Sequence, residues 1–218
     1  MRIIDLTFEI EQGMPTCGMP WHEQVEVRHL GELELVGRNT HAVTFGSHTG
    51  THMDAPYHFI ENGATIDQLD VANLCGKITV ADFWDVPAGY EVSKSDVEKL
   101  NISEKMLFVF GWYRKWKTEE YYKNFPYFSE EAIEYMLARG LRFLAMDTPS
   151  PDNGNAIGQK DDSPNHKKLL KNGVVIVEYL NNTKEVLRDC GYEITALPLK
   201  IAGSDGSPCR VIVKESEK

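Results

Sequence analysis

Three histidines and an aspartate crowd into eleven residues near the start of the chain. They are His48, His52, Asp54 and His58. An apolar run at residues 42–45 precedes them and predicts a strand that leads into a loop. Side chains placed where a strand ends in a loop often carry function, because the strand fixes the position from which the loop starts.

The spacing of these residues predicts that their side chains converge. His48 and His52 are four residues apart, so one helical turn would put them on the same side. His52 and Asp54 are two apart, so an extended segment would do the same. Gly50 and Pro56 argue against one continuous helix. We therefore expect a mixed loop that brings the three groups together.

Imidazole nitrogens combined with a carboxylate oxygen suit a divalent metal such as zinc or manganese. Three protein ligands, here His48, His52 and Asp54, would leave positions open for water and substrate, which is typical of a catalytic metal site. The alternative is a polar surface loop that is merely rich in histidine.

Length and charge narrow the class of protein. The 218 residues fit a single domain spanning 1–218, and the net charge of -10 argues against a nucleic-acid partner. The four cysteines are widely spaced, without a Cys-x-x-Cys pair, which argues against a zinc finger or a disulfide scaffold. Neither a signal peptide nor a membrane-spanning run is evident, so we expect a cytoplasmic protein without membrane partners.

Two further candidate metal ligands lie more than a hundred residues after the histidine cluster. Glu178 follows the apolar run 174–177, where an unpaired carboxylate would be costly, and His166 precedes it by twelve residues. We expect a helix from Asn165 as its cap to Leu170, ended by Gly173. That helix carries the chain about 10 Å outward, and a strand returns about 13–16 Å. His166 and Glu178 should therefore lie at the same end, although each alone could be a surface group.

The remaining elements alternate between strand and helix and predict an α/β fold. The last strands are expected at 194–202 and 211–213, joined by a loop at 203–208. The aromatic residues of 111–128 favour a packed flap or a subunit contact over a substrate platform. The sequence contains no Gly-x-Ser-x-Gly elbow, no P-loop and no dinucleotide-binding fingerprint.

The histidine cluster resembles a family motif. The run from His48 to His58, His-Thr-Gly-Thr-His-Met-Asp-Ala-Pro-Tyr-His, is similar to the His-x-Gly-Thr-His-x-Asp-x-Pro-x-His motif of the cyclase family of metal-dependent hydrolases. The resemblance extends over nearly the whole chain and includes residues 4–7, 111–112, 147–152, 166–170, 178–180, 197–199 and 206–210.

This resemblance implies a role for each of the histidines and carboxylates singled out above. His48, His52 and Asp54 would bind a first divalent metal ion, and Asp54 would also bridge to a second metal ion. Zinc is the expected metal and manganese is the alternative. His166 and Glu178 would hold that second metal, with Glu178 contacting both ions, although some members of the family bind one ion. His58 would be the general acid/base. The resemblance also implies a swivelling β/β/α fold, assembled as a homodimer or a larger homo-oligomer.

The implied activity is hydrolysis of the C–N bond in a small-molecule amide, an arylformamide such as N-formylkynurenine, or a lactam. The arylformamidase branch of the family has a Trp-Pro-Gly-Asp stretch whose Trp contacts substrate, and Cys17 occupies that Trp's position here, with Trp21 nearby. We expect Cys17 and Trp21 to line the substrate site. A non-catalytic metal- or ligand-binding protein on the same fold is the alternative, which an unligated His58 disfavours.

Overall fold

The computed structural model describes residues 2–156, 158–159, 162–187 and 190–216. Its central feature is a sheet that closes on itself. The strands within the described residues are β1 Ile3–Asp5, β2 Glu26–Gly31, β3 Thr40–Thr44, β4 His52–Asp54, β5 Cys75–Asp82, β6 Glu91–Val92, β7 Lys105–Val109, β8 Tyr127–Phe128, β9 Phe143–Met146, β10 Val175–Glu178, β11 Gly191–Pro198 and β12 Gly206–Ser216.

The barrel runs in the order β12, β11, β5, β7, β9, β10, β4 and returns to β12. Strands β5, β7, β9 and β10 are parallel, whereas the remaining neighbours in the ring pair antiparallel. Strand β12 makes closure possible because it pairs with β11 along one edge and with both β1 and β4 along the other. This arrangement confirms the predicted α/β class, while the assignment of 1–218 to one domain stays a prediction.

Helices cover one side of the barrel. They are α2 Lys94–Val97, α3 Glu130–Ala138 and α4 Pro164–Lys171, whereas the short helix α1 Leu33–Val36 lies between β2 and β3 and buries no residue. The parallel strands are buried on both faces, so their residues alternate between two cores. In β7, Met106 and Phe108 pack with the helices, and Leu107 and Val109 fill the barrel. No helix in the described part of the chain is long and apolar enough to cross a bilayer.

Strands β2 and β3 form a separate hairpin outside the barrel. Strand β3 corresponds to the strand predicted at 42–45, but most residues of both strands are exposed. The aromatic residues of 111–128 behave mainly as packing groups. Trp112, Tyr121, Phe125 and Phe128 are buried in the helix-side core.

Three local predictions were wrong. The strand expected at 194–202 ends at Pro198 as part of β11. Helix α4 begins after Ser163, so Asn165 is not its cap. The side-chain amide of Asn165 instead donates hydrogen bonds to the carbonyl of Phe128, at 2.7 Å, and to the carbonyl of Pro151, at 3.0 Å. Residues 206–208 were predicted as loop but open β12. They are extended because their backbone is hydrogen-bonded to β4. The two paired segments are about 150 residues apart, so local sequence does not reveal this pairing.

Candidate metal centre

The short strand β4 places two polar side chains on the outer face of the barrel. Met53 points into the barrel core, so its neighbours His52 and Asp54 point the opposite way, as the extended spacing predicted. In the pairing of β4 with β10, His52 lies directly opposite Glu178. Side chains directly opposite each other in an antiparallel pair share a face and are in reach of each other. The sheet itself therefore assembles His52, Asp54 and Glu178.

Gly50 sets the orientation of His52. Its backbone adopts a φ of 56°, in the left-handed region that glycine tolerates, and its carbonyl accepts a hydrogen bond of 2.8 Å from His52 Nδ1. Because Nδ1 donates, Nε2 of the neutral ring carries a lone pair. That nitrogen lies 3.4 Å from Asp54 Oδ1 and 3.4 Å from Glu178 Oε2. The tautomer presented to the two carboxylates is the one that binds metals.

The return from α4 to β10 brings His166 to the same place. Its Nε2 lies 3.3 Å from Asp54 Oδ2 and 3.1 Å from Glu178 Oε1. Its Nδ1 donates to Asp152 Oδ2 at 2.6 Å, and the backbone amide of His166 donates to the same oxygen. A carboxylate that orients a ligand histidine in this way is a common feature of metal sites.

The buried oxygens of this cluster fit a bound cation. Both oxygens of Asp54 and Oε1 of Glu178 are inaccessible to solvent and receive no aligned hydrogen bond. Leaving buried carboxylate oxygens without partners is costly unless they coordinate an ion. Ligand atoms of His52, Asp54 and Glu178 lie within 4.8 Å of one another, and all three residues are buried. The donor set of imidazoles and carboxylates is that of zinc and similar divalent ions.

Without an ion, the charges of the cluster influence one another strongly. Burial favours the neutral forms of Asp54 and Glu178. Even so, the pKa of Asp54 is held well below its usual range by the adjacent His48 and His166. The pKa of Glu178 is raised, first by burial and then by the Asp54 charge, despite the opposing effect of His166. The His166 pKa is raised well above its usual value because Asp152, Asp54 and Glu178 outweigh its burial.

His48 and His58 form the outer part of the site. Their ring centroids are 3.9 Å apart, and Asp205 Oδ2 contacts both, at 2.8 Å from His48 Nε2 and 3.1 Å from His58 Nδ1. His48 Nδ1 lies 2.8 Å from Asp54 Oδ1. Burial opposes charging of His48, but Asp54 and Asp205 raise its pKa to about 10. Ligand atoms of His48, Asp54 and His58 also lie within 4.8 Å of one another, which makes them a second possible metal-binding group.

Gly206 leaves room for the His48 ring. It stands opposite Asp54 in the pairing of β12 with β4. A Cβ atom at this position would lie 2.8 Å from His48 Cε1, which is closer than packing permits, and 3.0 Å from the Met53 carbonyl oxygen, which is a tight contact. The glycine is therefore required by the close approach of the imidazole to the sheet.

A cavity of about 450 Å³ opens onto these groups. Cys17 and Trp21, the predicted substrate-contacting residues, both line it, together with Phe59 and Tyr122. Trp21 is 69% exposed, so it stands at the rim. Burial raises the pKa of the Cys17 thiol, which keeps it protonated and apolar in character. The cavity offers apolar and aromatic walls beside a polar, buried cluster.

The structure thus places His48, His52, Asp54, His58, His166 and Glu178 around one centre. Sequence reasoning did not single out two aspartates that support it, Asp152 and Asp205. Each is an isolated aspartate in a loop, and the sequence contains many of those. The signals were their positions relative to two stretches that resemble the family: Asp152 is the last residue of 147–152, and Asp205 directly precedes 206–210.

Asp152→Ala is expected to weaken divalent-metal binding by about 10–100-fold, because it removes the group that orients His166. Titration of metal-free protein with zinc in competition with a chelator would measure this. Asp82→Ala is a matched control, since Asp82 lies on β5 and hydrogen-bonds the Trp84 amide. An unchanged zinc affinity in Asp152→Ala would contradict the orienting role.

The comparisons with known proteins agree with this geometry. The model of the family described as "Putative cyclase" matches residues 4–153. A kynurenine formamidase from Bacillus thuringiensis is 29% identical over 176 residues, covering 81% of this chain and 80% of the relative. The fold is similar to that of isatin hydrolase A from Ralstonia solanacearum. Their TM-score is 0.87 at 22% identity, with 97% of this chain and 91% of that chain covered.

A third relative is a predicted metal-dependent hydrolase from Bacillus stearothermophilus, with a TM-score of 0.74, 27% identity and 97% of both chains covered. The barrel and its helical layer are thus the architecture of the cyclase group, as the sequence predicted. Because the family model spans more than half of the chain, this protein belongs to the putative cyclase family.

Proposed function

We propose that this protein is a metal-dependent hydrolase that cleaves the C–N bond of an amide, an arylformamide or a lactam. The observation that carries the proposal is the buried cluster of His52, Asp54, His166 and Glu178, in which three of the four carboxylate oxygens receive no aligned hydrogen bond. It opens onto a cavity large enough for a small aromatic molecule. The relatives named as a kynurenine formamidase and an isatin hydrolase support this reaction class.

His48, His52 and Asp54 would hold a first ion, and His166 and Glu178 would hold a second, with Asp54 shared between them. We propose zinc at both positions, with manganese as the alternative. A divalent cation in such a site supplies Lewis acidity and activates water for attack near neutral pH. The two carboxylates balance much of the charge that a pair of ions would bring into this buried place.

His58 would hold and move the proton. Its Nδ1 is occupied by Asp205, which leaves Nε2 for exchange with the substrate. It lines the cavity and is only half-buried, so a substrate can reach it. Breaking a C–N bond requires a proton on the departing nitrogen, and histidine is suited to donate it because it titrates near neutral pH.

Cys17, Trp21, Phe59 and Tyr122 would contact the organic part of the substrate. Aromatic walls favour a flat or aromatic amide, since ring contacts add to the free energy of burial.

The four free cysteines support a reducing compartment such as the cytoplasm. We further propose a homodimer or larger homo-oligomer, as the family resemblance implies.

The alternative is a non-catalytic metal- or ligand-binding protein on the same fold. A combined metal and activity assay separates the two. Purified protein would be analysed for zinc and manganese and then assayed against N-formyl aryl amines and cyclic aryl amides. Turnover that disappears on chelation and returns with one of these metals supports the hydrolase. Stoichiometric metal without turnover of any amide would favour the binding protein.

N-Formylkynurenine is not expected to be preferred by orders of magnitude over simpler aryl formamides. Cys17 replaces the tryptophan of the arylformamidase branch, and loss of such a flat contact costs about 1 kcal/mol or more. Values of kcat/KM for both substrates would check this, with Cys17→Trp as the complementary variant. A hundredfold preference of the unmodified protein for N-formylkynurenine would show that the cavity recognises it by other contacts.

A further inference from the structure

Asp205 joins two residues that have different proposed roles. One oxygen of its carboxylate accepts hydrogen bonds from His48 Nε2 and His58 Nδ1. His48 is a proposed metal ligand and His58 the proposed proton donor. Their ring centroids are 3.9 Å apart with an angle of 34° between the planes, so one ring lies over the other and both reach this oxygen.

These contacts determine which ring nitrogens carry protons. An ionised carboxylate only accepts hydrogen bonds, so both contacting nitrogens must be donors. The carboxyl group of an aspartate ionises about three pH units below neutrality, so Asp205 is a carboxylate at neutral pH. In neutral His58, the proton is therefore on Nδ1 and the lone pair on Nε2. In His48, the nitrogen left to face Asp54 is Nδ1.

The main chain fixes Asp205 relative to the metal cluster. Its carbonyl accepts a hydrogen bond of 2.9 Å from the amide of Ala55, the residue after Asp54. The preceding carbonyl, of Ser204, accepts from the Ile66 amide, and the Gly203 amide donates to Asp67 Oδ1 at 2.9 Å. The side chain of Asp205 is about one-third exposed, so its ion pairs contribute little to stability. The contribution of Asp205 is therefore to orient the rings of His48 and His58.

We propose that Asp205 is a positioning residue that sets the tautomer of His58 and the ring orientation of His48 with a single carboxylate oxygen. Its effect on rate rests on the proposed hydrolase function. Its effect on the histidines does not, because that effect follows from the two hydrogen bonds alone.

The structural part is tested on metal-free protein by nuclear magnetic resonance of ¹⁵N-labelled histidines, at a pH where His58 is neutral. His58→Gln assigns the signal. We expect Nδ1–H in the unmodified protein and a shift to Nε2–H, the form that free imidazole prefers, in Asp205→Ala. Asp205→Asn retains an acceptor oxygen and should keep much of the Nδ1–H form. Nε2–H in the unmodified protein, or Nδ1–H persisting in Asp205→Ala, would overturn the proposal.

The functional part is tested at saturating metal. Asp205→Ala should lower kcat by about 10–100-fold with little change in KM, as for other groups that orient a functional side chain. In a His58→Ala background the same change should cost no more than about threefold, because residues that act as a unit are not additive. Equal losses in both backgrounds would overturn the link to His58.

Asp67→Ala is the matched control, because Asp67 supports the same loop through Gly203 but touches neither histidine. It should leave the His58 tautomer unchanged. Thermal unfolding of each variant checks the fold, and Asp205→Asn replaces Asp205→Ala if the latter does not fold. If the unmodified protein hydrolyses no amide, the proposed function fails while the tautomer result stands. If hydrolysis proceeds equally in Asp205→Ala, only this inference fails.

Discussion

Asp54→Ala is expected to abolish metal binding and amide hydrolysis together. Asp54 is fully buried at the middle of the cluster, with Oδ1 facing His48 and His52 and Oδ2 facing His166. Among the residues that the structure describes, no other carboxylate is paired with all three of these histidines. Loss of metal-based stabilisation amounts to several kcal/mol, which corresponds to a rate loss of about 10³-fold or more.

The measurement is metal content and turnover of the same preparation. Met53→Leu is the matched control, because Met53 is the neighbouring residue of β4 but packs inside the barrel. That volume-conserving change should cost less than about 1.5 kcal/mol of stability and leave metal content intact. Full metal occupancy in Asp54→Ala, with a normal circular dichroism spectrum, would reject Asp54 as the shared ligand.

His58→Ala is expected to keep its metal and lose about 10²–10⁴-fold in turnover, the usual contribution of a general acid or base. The ligand set that we propose, with His48, His52, Asp54, His166 and Glu178, does not include it. His58 instead lies at the cavity edge with one nitrogen bound to Asp205. His22→Ala is the control, since His22 lines the same cavity farther from the cluster, with its ring 6.3 Å from that of His48.

Metal stoichiometry and rate must again come from one preparation of His58→Ala. Metal lost in proportion to activity would make His58 a ligand, as its proximity to His48 and Asp54 allows. Near-normal turnover with metal retained would remove it from the mechanism. Only metal retention with a large rate loss supports the proton-transfer role.

Much of the site could be predicted from spacing. His52 and Asp54 are two residues apart on a strand, so their side chains lie on the same face, as the spacing predicted. The return of the chain from α4 to β10 brings His166 next to Glu178, as the lengths of the two elements predicted. Both inferences depend on local periodicity, which sequence carries directly. The bounds of β5, β7 and α3 also follow from apolar runs and a capping serine, Ser129.

The rest could not be predicted because it depends on pairing between distant segments. The extended form of Gly206 follows from hydrogen bonding to β4, and the position of Asp205 follows from that pairing. Asn165 was predicted as a helix cap from its type, but tertiary contacts with Phe128 and Pro151 use its amide inside the helix. Residue type and local context did not contain this information.

The pairing of β12 with β4 also determines when the site can form during folding. Its parts come from residues 52–54, 166–178 and 205–208, so they meet only after the barrel has closed. Contacts this far apart in sequence are entropically expensive and form late. An ion bound at this centre would therefore act after closure, holding β4 against helix α4 and strand β10, which carry its proposed ligands. Its binding free energy would add to the stability of the closed barrel rather than guide the chain towards it.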